Sequence, residues 1–458
     1  MDLGGKREWG TLLLGDLALL FSSLWLTLLV RSGALPLREA FANHLAPLAI
    51  IWGIWILIFF IAGLYEKHTL ILRSRLPQIL LQAQLVNSAV AVIFFYLIPY
   101  FGITPKTTLF IHLVISFSLL LIWRLYGYAF IIKRPKQNAI LIGSGEEMSE
   151  LLYEVNHNSR YGLNFVTAID LDKIAGVDFK QDILNRVYGE GVGVIVLDIR
   201  NEKAAPILPH LYNLIFSKVK FIDFHRVYED IFDRVPLSLL KYNWFLENIS
   251  TAPKITYDLF KRVMDIVFGL MLGLVSLVVY PFVAVLIVFD HWGPIFSRQT
   301  RVGKNNQPIT LLKFRTMEQA NDGGEWRQGN VNRITRAGSF LRRARIDELP
   351  QLWNVLLGDV SLIGPRPEFP EPVKHYESEL AYYNIRHLIK PGLSGWAQIY
   401  GEHPHHGTDV NKTKNKLSYD LYYIKNRSLM LDLKIALKTI KTLLSRSGAW
   451  LCNKIVLT

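Results

Sequence analysis

Long apolar runs separated by short polar connections open the chain, and another such run stands near its middle. Thr11 to Val30, Leu45 to Leu64, Ile79 to Phe101 and Thr107 to Ile132 are each long enough to cross a bilayer as a helix. The third is the most polar, with Gln82, Gln84 and Asn87, and the fourth carries Arg124. Asp16 in the first run is either a hydrogen-bonding residue between helices or a functional site. The first run is too long for a cleaved signal peptide and lacks a small-residue cleavage site. Lys6 and Arg7, Lys67, Arg73 and Arg75 after the second run, and Lys133, Arg134 and Lys136 after the fourth place these segments on the cytoplasmic side.

After Pro135 the periodicity changes to alternating strands and helices. Asn138 to Ile142, Phe165 to Ile169, Val192 to Asp198 and Val219 to Asp223 read as buried strands, and Glu146 to Asn156 as a helix. Residues 135–250 are thus expected to form a Rossmann-like α/β domain after a four-helix transmembrane domain over residues 1–134. Its turn Gly143-Ser144-Gly145 is a degenerate nucleotide-binding signature, since the third glycine position holds Met148. Asp170 ends the second strand where a ribose-binding acid would stand. The alternatives are a dinucleotide site and a structural or regulatory domain that kept the fold. Tyr257 and Lys261 have the spacing of a dehydrogenase pair but lie beyond this domain, beside an apolar run, which favours coincidence.

That run, Ile266 to Phe289, contains no charged residue and is flanked by Lys254, Lys261 and Arg262 before it and Arg298, Arg301 and Lys304 after it. Spanning would carry the basic remainder of the chain across the membrane. Pro281 removes a backbone hydrogen bond and allows a kink, so a helix over residues 263–289 is expected to be re-entrant, entering and leaving on one face. Beyond it, Leu429 to Leu443 interleaves leucines and isoleucines with Lys434, Lys438 and Lys441. This reads as a basic amphipathic helix lying on anionic lipid or as an ordinary packed terminal helix.

Composition agrees with a membrane protein carrying soluble domains: the chain has 458 residues and is 51% hydrophobic. Its charge is uneven. From residue 251 onward there are 28 Lys and Arg against 17 Asp and Glu, which is +11 of the total +13. A basic surface suits anionic lipid, phosphorylated small molecules or nucleic acid, and the chain has no zinc-finger or RNA-binding aromatic signature, so nucleic acid is not expected as a partner. The single Cys452 excludes an internal disulfide and a cysteine-rich metal site.

The chemistry concentrates in the basic C-terminal part. Asp347 and Glu348 stand between arginine clusters where Pro350, the spacing of Leu349, Leu352, Trp353 and Leu356, and Gly358 as a stop predict a helix. At its N-terminus both carboxylates are expected to stay ionised, one available as a nucleophile and the other for a divalent cation. Around them come Arg301, Lys313-Phe314-Arg315-Thr316-Met317, Arg342-Arg343, Gly364-Pro365-Arg366-Pro367 and Arg386 through Gln398. Arginine forks about a carboxylate pair suit a diphosphate and a metal ion. His403, His405 and His406 lack partner spacing for a metal site of their own.

These clusters, in this order over about residues 254 to 445, resemble the bacterial sugar transferase family, the monotopic phosphoglycosyl transferases. The four preceding spans and the degenerate α/β domain are similar to its long form, which initiates exopolysaccharide, capsule or O-antigen synthesis. The resemblance implies a mostly helical catalytic domain over residues 251–458 with a re-entrant, Pro281-kinked membrane helix. It also implies transfer of a sugar-1-phosphate from a UDP-sugar to polyprenyl (undecaprenyl) phosphate, with release of UMP. Asp347 would be the nucleophile that carries the sugar phosphate, and Glu348 the Mg²⁺ ligand. Lys313, Arg315, Arg342 and Arg366 would contact phosphate, with Arg301, Arg386 and Gln398 as weaker candidates in the substrate region. The implied location is the bacterial inner membrane, with both soluble domains in the cytoplasm, as a homo-oligomer or within a polysaccharide assembly complex. The competing readings are an NAD-dependent nucleotide-sugar dehydratase built on residues 136–250 and a non-catalytic membrane scaffold. The incomplete glycine signature opposes the first, and the intact Asp-Glu pair opposes the second.

Overall fold

The apolar runs fold as helices because a backbone in lipid must satisfy its own hydrogen bonds. In the computed structural model, residues 6–36, 38–65, 76–98, 106–127, 136–158, 161–176, 183–249, 254–318, 333–401 and 409–444 are described. Among them five helices are long and apolar enough to cross a membrane: Gly10–Ser32, Arg38–Ala62, Leu76–Leu97, Thr107–Gly127 and Ile255–Asp290. The protein is therefore membrane-associated. His403, His405, His406 and Cys452 lie outside the described residues. The chain divides into two compact units, residues 1–231 and 232–458.

The first unit begins with helices α1 (Lys6–Ser32), α2 (Arg38–Ala62), α3 (Leu76–Leu97) and α4 (Lys106–Ile122). Leu20, Leu24, Ile51, Trp55 and Phe59 are buried in their shared core. Polar side chains join them inside that core. Arg124, in the turn after α4, ion-pairs with Asp16 and donates to the carbonyl of Leu64, while the Tyr65 hydroxyl donates to Asp16 at 2.7 Å. Trp52 donates to His112 at 3.2 Å, and Gln84 to Ser116 at 3.0 Å. Asp16 thus ties the bundle together, the first of its two sequence readings.

The same unit contains β1 (Gln137–Gly143), α5 (Gly145–His157), β2 (Leu163–Asp170), β3 (Val194–Leu197) and β4 (Lys220–Asp223). The four strands form one parallel sheet in the order β2-β1-β3-β4. Gly145 ends the turn after β1 with φ 81°, a left-handed conformation suited to glycine. A Cβ on Gly143 would lie 3.7 Å from Cγ of the buried Met148, so Met148 fills the space at the helix–strand contact. Asp170 Oδ1 accepts from the Asp172 N–H at 2.9 Å and closes its own turn.

In the second unit, α6 (Ile255–Asp290) runs 36 residues with Pro281 inside it. It is followed by the antiparallel pair β5 (Phe296–Val302) and β6 (Pro308–Phe314), then α7 (Arg336–Ala344), a 3-10 turn Ile346–Glu348 and α8 (Gln351–Leu357). Short parallel strands β7 (Ser361–Ile363) and β8 (Gly392–Ser394) precede α9 (Val410–Asn426) and α10 (Leu429–Leu444). Val235, Leu240, Trp244 and Phe245 share a core with Val373, Tyr376, Leu417 and Leu421.

One side of α6 is apolar and exposed, including Leu270, Leu274, Val278 and Phe282. The other packs on the rest of its unit. Gly269 faces Val355 and Leu356 at van der Waals distance from where its Cβ would be. Arg262 donates to the carbonyls of Val355 and Leu356, both at 2.7 Å, and Asp265 accepts from Ser361 Oγ and the Leu362 N–H, both at 3.0 Å. Tyr257 and Lys261, which mimic a dehydrogenase pair in sequence, both reach Asp432 of α10, at 2.9 and 2.8 Å. They fasten α6 to the terminal helix.

Asp16→Ala should leave the Arg124 guanidinium buried without its counter-ion and cost about 3–5 kcal/mol. Thermal unfolding of the purified chain in detergent measures this, and an unchanged melting temperature would remove Asp16 from the set of groups that hold the bundle.

Candidate active site

The Asp347-Glu348 pair is delivered by two local devices. Thr335 caps α7, its hydroxyl accepting from the Gly338 N–H at 2.9 Å, and Asp290 Oδ2 accepts from the Ala337 N–H at 2.8 Å. Gly338 permits a close approach, because a Cβ there would stand 2.0 Å from the Thr316 carbonyl oxygen. At the other end Arg345 takes the left-handed conformation, φ 57°, and turns the chain out of α7 into the 3-10 turn. The pair therefore sits one short turn ahead of α8, whose first residue is Gln351, and not in the first turn of the helix itself. Gly358, with φ 95°, ends α8 as its sequence position predicts.

Neighbouring cations treat the two carboxylates differently. Glu348 Oε1 receives Lys313 Nζ at 3.0 Å and Arg366 Nη2 at 2.8 Å, with Arg345 Nη1 at 3.8 Å. Burial pushes the Glu348 carboxyl up, but Arg366, Lys313 and Arg345 together outweigh it and hold the group well below the usual carboxylate range. Asp347 is buried, and its Oδ1 has no hydrogen-bond partner among the described residues. Burial raises its carboxyl above the ordinary value despite the opposing pull of Lys313, and the Glu348 charge adds to the rise. The expectation that a helix N-terminus keeps both groups ionised thus meets a different balance, in which desolvation dominates at Asp347. Lys313, whose ammonium is pushed down by burial against the attraction of Glu348, is the link between the two.

Of the other residues singled out in sequence, Arg366 joins the pair directly and Arg342 stands nearby, its Nε donating to Thr316 Oγ1 at 2.9 Å. Arg315 is elsewhere. It is buried, and its guanidinium donates to the carbonyls of His291 and Trp292, clamping the chain as it leaves α6. Arg301 stacks on Phe369, 3.2 Å from the ring centroid, and donates to Gln299 at 2.8 Å. Arg386 is buried behind the Arg366 turn. It pairs with Asp420 at 2.8 Å and donates to the Arg366 carbonyl at 2.9 Å, while Lys416 pairs with Glu368 beside it. Gln398 lies in a short helix, Trp396–Tyr400, next to Gly395, whose backbone touches Gly364 of the same turn.

Two supporting residues escape a reading of the sequence. Asn354 of α8 accepts from the Leu312 N–H at 3.0 Å and donates to the Thr310 carbonyl at 2.8 Å, so it fixes α8 to the strand that carries Lys313. Asp265 anchors α6 to β7 as described above.

Among the described residues no group of three or more His, Cys, Asp or Glu converges as a metal cage. Two adjacent carboxylates, one with an unpartnered buried oxygen, do fit the sparser Mg²⁺ arrangement in which one or two carboxylates share the ion with substrate phosphates.

The family model described as bacterial sugar transferase matches residues 256–446. A UDP-N-acetylgalactosamine-undecaprenyl-phosphate N-acetylgalactosaminephosphotransferase of Aeromonas hydrophila is 43% identical over 204 residues, covering 44% of this chain and 47% of that one. The match thus spans about half the length of that relative. A UDP-glucose:undecaprenyl-phosphate glucose-1-phosphate transferase of Caulobacter vibrioides is 39% identical over 201 residues, 43% of this chain and 74% of the relative. The exopolysaccharide production protein PSS of Rhizobium leguminosarum is 39% identical over 193 residues, 41% of this chain and 96% of the relative. All of these matches have about the length of the second unit's transferase segment, and on them the chain belongs to the bacterial sugar transferase family.

Proposed function

We propose that the chain transfers a sugar-1-phosphate from a UDP-sugar to polyprenyl phosphate, the first membrane step of polysaccharide synthesis. The observation that carries this reading is the contrast inside one dyad: Glu348 is gripped by three cations, and Asp347 beside it keeps a buried oxygen without a partner among the described residues. The first carboxylate organises charge and the second is free to react. Relatives named for sugar-1-phosphate transfer to undecaprenyl phosphate support the substrate classes.

In this mechanism Asp347 attacks the sugar-bearing phosphorus of the UDP-sugar. The bond from that phosphorus to the bridging oxygen breaks, UMP departs with the electron pair, and the sugar phosphate remains on the aspartyl oxygen. A phosphate oxygen of the polyprenyl phosphate then attacks the same phosphorus and returns Asp347 to its carboxylate, giving the polyprenyl-diphospho-sugar. Lys313 and Arg366 hold Glu348 in place and present positive charge to the diphosphate, with Arg342 and Arg345 on the α7 side. Glu348 is the residue that would hold Mg²⁺, which would supply charge neutralisation for the departing UMP when bound.

The membrane placement follows the same geometry. Arg262 near one end of α6 and Asp290 at the other both bond to the transferase segment, as does the chain after Asp290 through Arg315. A helix tied at both ends to one soluble body supports the re-entrant reading, with Pro281 at the turn of its path and the dyad at headgroup level. The transferase and α/β domains then face the cytoplasm at the bacterial inner membrane, and assembly with further copies or with polysaccharide-synthesis partners takes place there.

Asp347→Asn should abolish UMP release. A carboxyl raised by folding contributes stability below its unfolded pKa and loses it as pH rises through the folded value, so at neutral pH the ionised Asp347 costs stability. The variant is therefore expected to melt at a higher temperature than the native chain, and UMP release at the native rate would refute the nucleophile assignment. A panel of UDP-sugars in the same assay identifies the donor.

The pH profile supplies a separate check. UMP release needs ionised Asp347, so its acid limb should lie above the ordinary carboxylate range, and Lys313→Met should move it higher still by removing a cation that lowers the group. A limb that stays put in Lys313→Met would separate the rate from Asp347 titration. For α6, cysteines introduced before residue 262 and after residue 298 should react with membrane-impermeant reagent from the same side; labelling from opposite sides would make the helix a full span.

A further inference from the structure

A groove of about 590 Å³ lies between the last turns of α6 and the first turns of α7, lined by Leu286, Phe289, Asp290, Arg336, Ala337 and Phe340. Its apolar walls are open: Leu286 is 39% exposed, Phe289 88% and Phe340 51%. They are not needed for the core, because α7 turns Ala337 and Leu341 inward and Leu341 packs with Val283, Ile287 and Phe314. Phe340 belongs to the opposite face, where Arg336, Phe340 and Arg343 follow one another at helical spacing. This face begins at the groove and ends beside Arg345, at the turn into Asp347.

We propose that the groove seats the isoprenoid chain of the lipid acceptor and that the outer face of α7 guides its phosphate to Asp347. The inference rests on the transfer reading above and gives the acceptor a path. A polyprenyl phosphate must keep its chain in the bilayer while its phosphate reaches a buried aspartate. The nine residues of α7 measure about 13 Å at 1.5 Å per residue, a length that the first few isoprene units cover. Leu286 and Phe289 continue the exposed apolar side of α6, so a chain in the groove passes into the bilayer without crossing polar surface. Arg343 and Arg345 stand at the dyad end with charge opposite to the phosphate, and Arg336 borders the groove along the same face. Asp290 Oδ2 accepts from the Ala337 N–H, which fixes the two walls against each other.

The test uses the full chain in nanodiscs and a polyprenyl phosphate bearing a benzophenone within its first isoprene units. Irradiation should label the peptides containing Leu286, Phe289 or Phe340. Excess unlabelled polyprenyl phosphate should abolish the labelling, and the same excess of phosphatidylglycerol should not. Labelling elsewhere, or equal displacement by phosphatidylglycerol, would overturn the assignment and leave an ordinary lipid-contact surface. In parallel, Phe340→Glu and Leu286→Gln should each raise the KM for polyprenyl phosphate about tenfold, a loss of about 1.4 kcal/mol of binding. The burst of UMP released before lipid entry should keep its native amplitude. A reduced burst would assign these residues to the donor side, and an unchanged KM would also overturn the proposal. Because labelling reads occupancy without catalysis, a native chain that is labelled in the groove but releases no UMP would refute the transfer reading alone.

Discussion

The contact between α6 and α8 is the constraint on which the transferase segment depends. One helix has to satisfy lipid on one side and a polar, charge-rich fold on the other. It does so by placing Gly269 where Val355 and Leu356 come close and by spending its polar groups inward: Arg262 on the carbonyl end of α8 and Asp265 on β7. The Arg262 bonds are favourable twice over, since a guanidinium there satisfies helix-terminal carbonyls and complements the negative end of the helix. With α8 held, Asn354 holds β6, and β6 carries Lys313 to Glu348. The position of the dyad relative to the apolar face is thus set by a chain of short contacts rather than by the membrane itself.

Within the dyad, adjacent residues of similar chemistry acquire different roles from their surroundings. Three cations around Glu348 outweigh the cost of burying it, whereas Asp347 lacks hydrogen-bond donors on one oxygen and is raised by the same burial. Charged neighbours shared between two carboxylates favour ionising one of them first, and here the geometry chooses Glu348. In the proposed transfer, a diphosphate arriving at Lys313 and Arg366 would add negative charge and compete for the cations that hold Glu348. In that reading an added divalent cation would restore the balance of charge.

Much of the architecture was legible because it rests on periodicity. The apolar runs, the parallel strands following Pro135, the stop at Gly358 and the arginine-flanked Asp347-Glu348 are each local patterns with a physical cause. What the sequence did not disclose depends on long-range contacts. Arg315 was expected at phosphate and Arg386 in the substrate region, but the fold turns one onto the carbonyls of His291 and Trp292 and buries the other against Asp420. The left-handed Arg345 was hidden because nothing marks a non-glycine residue for that conformation; tertiary packing imposes it. Tyr257 and Lys261 show the reverse case, in which a motif-like spacing serves only to join α6 to Asp432.

The buried cluster of Arg386, Asp420, Glu368 and Lys416 is best understood through Arg366. Burying four charges for stability alone is a poor use of them, since an apolar core of similar volume does as well. A cluster of this kind gives direction: the Arg386 guanidinium divides its donors among Asp420, Tyr383 and the Arg366 carbonyl. A planar fork with fixed donor angles restricts where that carbonyl, and hence the Gly364-Pro365-Arg366-Pro367 turn, can lie. Pro365 and Pro367 stiffen the turn from within, and Gly364 and Gly395 let its backbone meet β8 closely. Arg366 therefore reaches Glu348 from a support that is rigid on both sides, so the cationic grip on the dyad is preformed. In the proposed transfer, preorganised charge of this kind would cost no rearrangement when the substrate binds, which would account for so much buried charge behind one arginine.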